Sequence, residues 1–334
     1  MKQKQYININ EKIFVAGASG MVGSSVVRTL KNAGYGHKGN GGEILIPSRK
    51  QLNLLDSTSV KSWFKSNKPT VVIIAAAKVG GIYANSNYPA DFMYENLKMQ
   101  MNIIESAWQN QVKRLLFLGS SCIYPKFSNQ PIEEESLLTG SLESTNQWYA
   151  ISKITGIKLC EALREQYNFD AISLMPTNLY GTGDSFDEMN SHVMPALISK
   201  FYNAVKYSKK EVTCWGTGKA SREFMHVDDL SKAIIFALEN WNPDSSDAPL
   251  DKNQKPLTFL NVGVGKEITI RELAEKISEK VCFKGKIIWD KSKPDGTPKK
   301  LLNSDKIRSL GWEPLIELND GIEKTIKEFS NIKL

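Results

Sequence analysis

Lys12-Ile-Phe-Val-Ala16 runs directly into Gly17-Ala-Ser-Gly20-Met-Val-Gly23, and Ser24 to Ala33 continues as a helix-compatible run. A short buried strand, a G-x-x-G-x-x-G turn and a helix, in that order, open a dinucleotide-binding βαβ unit. Glycines there let the backbone approach a pyrophosphate, and the helix N-terminus offers free N–H groups and a positive dipole end. A glycine-rich turn without a ligand is the competing reading, and the strand-to-helix context favours the cofactor. Val71 to Ala77, Arg114 to Leu118 and Ala171 to Met175 read as further buried strands, with a helix from Pro89 to Asn110 among the intervening segments. Alternating strands and helices of these lengths predict an α/β fold, a Rossmann-type doubly wound parallel sheet.

In such sheets ligands sit beyond the carboxyl ends of the strands. The second strand, Glu43 to Ile46, ends in Pro47-Ser48-Arg49-Lys50. An NAD site usually carries an acid there for the ribose 2′-OH. The Arg-Lys pair suits a 2′-phosphate instead and predicts NADPH, a solvated arginine being the alternative. Asp56 either lies near the adenine or caps the helix that starts at Ser57. The fourth strand ends in Gly119-Ser120-Ser121-Cys122-Ile-Tyr124-Pro125, which turns a hydroxyl or thiol toward the crevice. Glu143-Ser-Thr-Asn-Gln-Trp-Tyr149-Ala-Ile-Ser-Lys153 places Tyr149 and Lys153 at i, i+4, on one helix face. A neighbouring ammonium favours phenolate and makes Tyr149 a better proton donor or acceptor. The spacing is common by chance; Ser120 supplies the third partner that gives it meaning.

The remaining composition excludes more than it assigns. At 334 residues, 41% hydrophobic and 24% charged, the chain can bury one large core and a smaller lobe. Its longest apolar run is Val71 to Ala77, far short of a membrane span, and the polar start shows no secretory signal. Cys122, Cys160, Cys214 and Cys282 are scattered and form no ligand cluster with His37, His192 or His226, so a reducing, cytoplasmic setting and no metal are expected. A net charge of +7 without a concentrated basic face argues against nucleic acid and is compatible with a phosphorylated small molecule. Two loop regions are expected, Tyr35 to Gly42 and Asn242 to Gln254. Asn190 to Tyr207 reads as a helix, Val212 to Trp215 as a strand, and Thr269 with Glu272 as a capping box. The expected division is a cofactor domain over residues 1–182 and a mixed α/β substrate lobe over 183–334. Segments near 212–240 and 258–262 are candidates for return to the sheet.

The glycine turn, Ser120 and Tyr149-x-x-x-Lys153 together resemble the extended short-chain dehydrogenase/reductase superfamily. Longer strings, Ala75-Ala-Ala-Lys-Val-Gly-Gly-Ile82, Gly119-Ser-Ser-Cys-Ile-Tyr-Pro-Lys126, Met175-Pro-Thr-Asn-Leu-Tyr-Gly181, Ser191-His-Val-Met-Pro-Ala196 and Arg222-Glu-Phe-Met-His-Val-Asp-Asp229, resemble the GDP-L-fucose synthase family. The resemblance runs from about Lys12 to the C-terminus. It departs at Ala18-Ser19, where the family often carries more basic residues, and at Tyr35 to Gly42, which looks inserted. It implies NADPH-dependent 3,5-epimerisation and 4-keto reduction of GDP-4-keto-6-deoxy-D-mannose by a homodimer joined through the helices near 90–110 and 150–166. The latter helix carries apolar residues around most of its girth, which a second internal layer would equally explain.

The same resemblance implies roles for individual residues. Catalysis falls to Ser120, Tyr149 and Lys153, with Cys122 as base and His192 as acid. Cofactor contacts fall to Gly17, Ala18, Ser19, Gly20, Met21, Val22, Gly23, Arg49, Leu54, Leu118, Ser120, Lys153, Pro176, Asn178, Leu179 and His192. Substrate contacts fall to Asn178, Lys200, Trp215, Arg222 and Asp295. Taken alone, Cys122 reads as a small buried hydrophobe, His192 as a helix-start residue, Lys200 as solvated and Trp215 as core. A 4-epimerase or 4,6-dehydratase of the same fold fits less well. The dehydratase needs an acid–base carboxyl pair where Ser121-Cys122 stands, and the epimerase an acid where Arg49 stands. A non-catalytic NADP-binding regulator would typically have lost Tyr149 or Lys153.

Overall fold

The computed structural model of the chain describes residues 5–188 and 191–332. Its strands are β1 (Lys12–Ala16), β2 (Glu43–Leu45), β3 (Val71–Ile74), β4 (Arg114–Leu118), β5 (Ala171–Pro176) and β6 (Asn178–Tyr180). There follow β7 (Glu211–Trp215), β8 (Ser221–His226), β9 (Phe259–Val262), β10 (Glu267–Thr269), β11 (Lys286–Asp290) and β12 (Lys299–Lys300). The helices are α1 (Met21–Asn32), α2 (Ser57–Asn67), α3 (Ile82–Asn87), α4 (Pro89–Gln109) and α5 (Gln147–Tyr167). The C-terminal half adds α6 (Val193–Lys206), α7 (Val227–Asn240), α8 (Ile270–Lys280), α9 (Asp305–Ser309) and α10 (Leu318–Ile332).

Six strands form one parallel sheet in the order β2-β1-β3-β4-β5-β9. Both faces are covered, so the inner strands are mainly apolar and successive residues feed opposite cores. Ile13, Val15, Val71, Ile73, Leu116, Leu118, Ile172 and Leu174 pack toward α1 and α7. Phe14, Ala16, Val72, Ile74, Leu115, Phe117, Ala171 and Met175 pack toward α2, α4 and α5. The strand order reverses at β1 and β3, and the crevice outside their carboxyl ends is where such sheets bind ligands.

Three boundaries differ from the sequence reading by more than a single residue. The first helix starts at Met21, because Gly20 is its N-cap and already accepts from the Ser24 amide at 2.9 Å. β3 ends at Ile74, not Ala77. At Ala76 the chain passes Gly17 so closely that a Cβ on that glycine would lie 2.7 Å from the Ala76 Cα. The helix expected from Asn190 begins at Val193, and Asn190 itself lies outside the described residues. The Tyr35 to Gly42 segment holds a short 3-10 turn at Lys38–Asn40, with Tyr35 buried and its hydroxyl donating to Glu239 Oε1 at 2.7 Å.

The C-terminal part has its own core, centred on Met194, Phe201, Phe224, Leu273, Ile277 and Phe329. β8 lies between β10 and β12 and also pairs with β6, while β7 and β11 form a separate pair. Thus β7 stays off the large sheet, whereas α7 covers that sheet beside α1 and β9 forms its edge. The capping box at Thr269 and Glu272 is complete, with both reciprocal bonds made. On α5, Gly156 lies where a Cβ would stand 2.5 Å from the Phe117 ring, and this absence of a side chain lets the helix settle against β4.

Candidate active site

The glycine turn is built for close backbone approach. Gly17 has a φ of +85°, and a Cβ on Gly23 would lie 2.1 Å from the Gly17 carbonyl oxygen. At Gly20 the nearest atom would be 3.5 Å away, so this part of the turn is open. The first turn of α1 has no acidic residue and no side-chain cap, which leaves its amides available to an anion. Arg49 and Lys50 are exposed in the turn after β2. Leu54 flanks the core beneath and its carbonyl accepts from Asn102 at 2.9 Å. Asp56 takes the amides of Thr58 and Ser59, so it caps α2. A dinucleotide fits this cradle, and the two cations suit an additional phosphate.

At the end of β4, Lys153 Nζ donates to the Leu118 carbonyl at 2.7 Å and is almost wholly buried. It also lies 4.8 Å from the centre of the Phe117 ring and 5.8 Å from that of Tyr149. Burial pushes the ammonium down to about 7. Tyr149, half-buried, is pushed upward from its ordinary value, first by desolvation and then by the Cys122 sulfur, while a hydrogen bond with Ser120 opposes the shift. The sequence reading had Lys153 lowering the Tyr149 pKa. Here desolvation dominates and the phenol is held as an acid.

Ser120 also accepts from the Cys122 amide at 3.3 Å, capping the short 3-10 turn Ser121–Ile123. Cys122 is only partly buried. Its Sγ lies 3.5 Å from Asn146 Nδ2 and 3.8 Å from Lys300 Nζ. His192 is the N-cap residue of α6 and is exposed. Its imidazole is pushed down by desolvation from the surrounding walls and then by the Lys300 charge. Lys300 therefore acts electrostatically on both residues expected to move protons. Neither Asn146 nor Lys300 was singled out from the sequence.

The four distant substrate candidates come together. Lys200 Nζ lies 5.3 Å from the centre of the Trp215 ring and donates to the Thr213 carbonyl. Trp215 is partly exposed rather than core. Asp295 accepts from the Thr217 amide and hydroxyl, both at 2.8 Å, and its carbonyl accepts from Arg222 at 3.3 Å. Lys293 adds a second ammonium over Trp215, at 5.5 Å, which the sequence reading missed. Asn178 donates to the Glu223 carbonyl at 2.8 Å and so joins β6 to β8, with Pro176 and Leu179 beside it on the same connection. Three cations, an indole and a fixed carboxylate suit a diphosphate carrying a sugar and a base.

The NAD dependent epimerase/dehydratase family matches residues 13–248. The chain is 52% identical to GDP-L-fucose synthase 1 of Arabidopsis thaliana over 314 residues, covering 94% of this chain and 91% of that protein. It is 48% identical to GDP-L-fucose synthase of Escherichia coli (strain K12) over 319 residues, covering 96% of each. A GDP-mannoheptose C4 reductase from Campylobacter jejuni, solved with NADP bound, superposes with a TM-score of 0.85 at 34% identity, covering 97% of this chain and 99% of that one. No helix among the described residues is long and apolar enough to cross a membrane.

Lys153 gives the site a pH signature. Its ammonium titrates near 7 in the folded protein and near 10.5 in the unfolded chain, so between those values the unfolded state binds more protons. Stability from this group therefore rises as pH climbs from about 7 toward 10. Lys153→Met is expected to be more stable than the parent at pH 7, by about 1–2 kcal/mol, and to lack that rise. Urea denaturation at both pH values reads it, and parallel pH dependence in the two proteins would contradict it.

Proposed function

The chain belongs to the NAD dependent epimerase/dehydratase family and, within it, to the GDP-L-fucose synthases, and from that membership we propose how its pocket turns GDP-4-keto-6-deoxy-D-mannose into GDP-L-fucose. The observation that carries the reading is the shared turn after β4. Ser120 is bonded to Tyr149, and two residues later Cys122 faces Lys300, so a reducing set and a proton-abstracting set adjoin.

A 4-keto group acidifies the protons at C3 and C5. Cys122 removes them, and Ser120 and Tyr149 donate to the enolate oxygen as it gains charge. His192 returns protons from the opposite face. Burial, and then the Lys300 charge, disfavour its charged form, so it must be charged before each proton return. A nicotinamide cofactor, when bound, would supply the hydride for C4. Tyr149 gives its proton to the new alkoxide, while Lys153 fixes the floor beneath it through Leu118. Lys200, Trp215, Arg222 and Asp295 hold the nucleotide diphosphate end, with Asn178 on the connection beside the sugar.

Gly17, Ala18, Ser19, Gly20, Met21, Val22 and Gly23 hold the pyrophosphate, and Arg49 selects NADPH through the 2′-phosphate. Residues 1–182 supply most of the cofactor half and 183–334 most of the substrate half. The outer face of α4 leaves Tyr94 and Met101 exposed beside Leu97, and α5 leaves Trp148 exposed near Ile151 and Leu159. A second copy of the chain fits across these faces, and four unpaired cysteines suit the cytoplasm.

In D₂O without NADPH, the protein is expected to place deuterium at C3 and C5 of the 4-keto sugar. Cys122→Ala should exchange neither position yet still reduce the ketone slowly. Tyr149→Phe should lose about two to four orders of magnitude in kcat while still binding NADPH. Undiminished exchange in the Cys122 variant would return that residue to a packing role. Production of an unepimerised GDP-sugar by the parent would favour a plain C4 reductase, as the Campylobacter jejuni relative is named.

Arg49→Glu should weaken NADPH about 10- to 100-fold relative to NADH, the worth of a charge-assisted phosphate contact. An unchanged cofactor ratio would remove Arg49 from the site. For the dimer, light scattering should give twice the chain mass, reduced toward a single chain by Leu97→Asp. A parent protein running as one chain would refute the interface.

A further inference from the structure

Asn146 occupies the N-cap of α5, where an asparagine side chain ordinarily accepts from the second or third helical amide. It makes no such bond. Its Nδ2 turns to Cys122 Sγ at 3.5 Å, and its Oδ1 is buried with no hydrogen-bond partner among the described residues. A forgone cap and an orphaned buried oxygen both oppose folding, and a rotated side chain would relieve at least one of them. A local rule broken at a site residue points to function.

The approach to Asn146 is stiff. Thr145 donates both its amide and its hydroxyl to Glu143 Oε2, and the Asn146 amide donates to the Glu143 carbonyl at 3.3 Å. Glu143 is itself buried. The amide is thus delivered to the sulfur by a braced turn. Around that sulfur stand Lys300 from β12 at 3.8 Å, Arg222 from β8 and Tyr149 from α5, both of which sense its charge, and Ser120, which takes the Cys122 amide. A thiol sulfur accepts hydrogen bonds weakly and a thiolate accepts them well. Two N–H donors aimed at one sulfur therefore favour the anion.

We propose that Asn146 is a positioning residue for Cys122: its amide, turned away from capping α5, pins the sulfur against Lys300 in the anionic form that abstracts the sugar proton. This rests on the reading of Cys122 as the base, and the test separates the two. In a Cys282→Ser background, which removes the exposed thiol, iodoacetamide labelling of Cys122 is followed by mass spectrometry across a pH series. Asn146→Ala should label about 3- to 10-fold more slowly at neutral pH, with its curve displaced to higher pH. Deuterium exchange at C3 and C5 should slow by a similar factor while NADPH binding holds. Asn146→Ser, which can cap α5, should recover thermal stability but not the labelling curve. Parent-like labelling and exchange in the serine variant would mean that Asn146 serves only the helix, and the proposal would fall. A displaced labelling curve with unchanged exchange would keep the sulfur–amide contact and overturn Cys122 as the base.

Discussion

The site depends on the bond from Lys153 Nζ to the Leu118 carbonyl. It joins the early part of α5 to the last residue of β4 and so fixes a helix face against a strand end. Among the described residues the ammonium has no carboxylate partner; a carbonyl and two aromatic faces are its company. Burying a charge on those terms is unfavourable, and the depressed basicity of Lys153 is the direct expression of that cost. Gly156 makes the contact possible by letting α5 lie against the Phe117 ring. Tyr149, one turn before Lys153, then falls beside Ser120, two residues beyond Leu118. Each position follows from the one before it.

The opposite wall is assembled from chain far away in sequence. β12 is two residues long, yet its pairing with β8 sets Lys300 opposite Arg222. Alternation does the rest: Lys299 turns outward to Glu267, and Lys300 turns inward to Cys122. The group proposed to hold the nucleotide is arranged by the same segment, since Asp295 clamps the Thr217 turn and reaches Arg222 through its carbonyl. Gly216 permits this, because a Cβ there would lie 2.2 Å from the Asp295 carboxylate.

This explains what could be seen in the sequence. The strand–glycine turn–helix opening, the i, i+4 pair on α5 and the Thr269–Glu272 box are local, and local spacing is what a sequence displays. The strands of the parallel sheet announced themselves as apolar runs because both faces are buried. Lys300 had no such signal. It is one lysine in a basic stretch, and only the two-residue ladder with β8 tells it from Lys299. Asn146 is one polar residue ahead of a helix, and only its side-chain contact with Cys122 sets it apart. The direction of the Tyr149 shift was misjudged because desolvation, which has no sequence pattern, outweighs a neighbouring ammonium that is itself buried and bonded elsewhere.

The charges of the two proposed catalytic sets also act on each other. The Cys122 sulfur raises Tyr149, and Lys300 lowers His192. While Cys122 is anionic, it opposes a second negative charge nearby, so the Tyr149 proton stays in place. In the proposed mechanism, a sulfur that has accepted a proton no longer opposes negative charge on Tyr149. The proposed abstracting and reducing sets are thus coupled electrostatically through the turn after β4, and a change of charge in one is felt by the acid of the other.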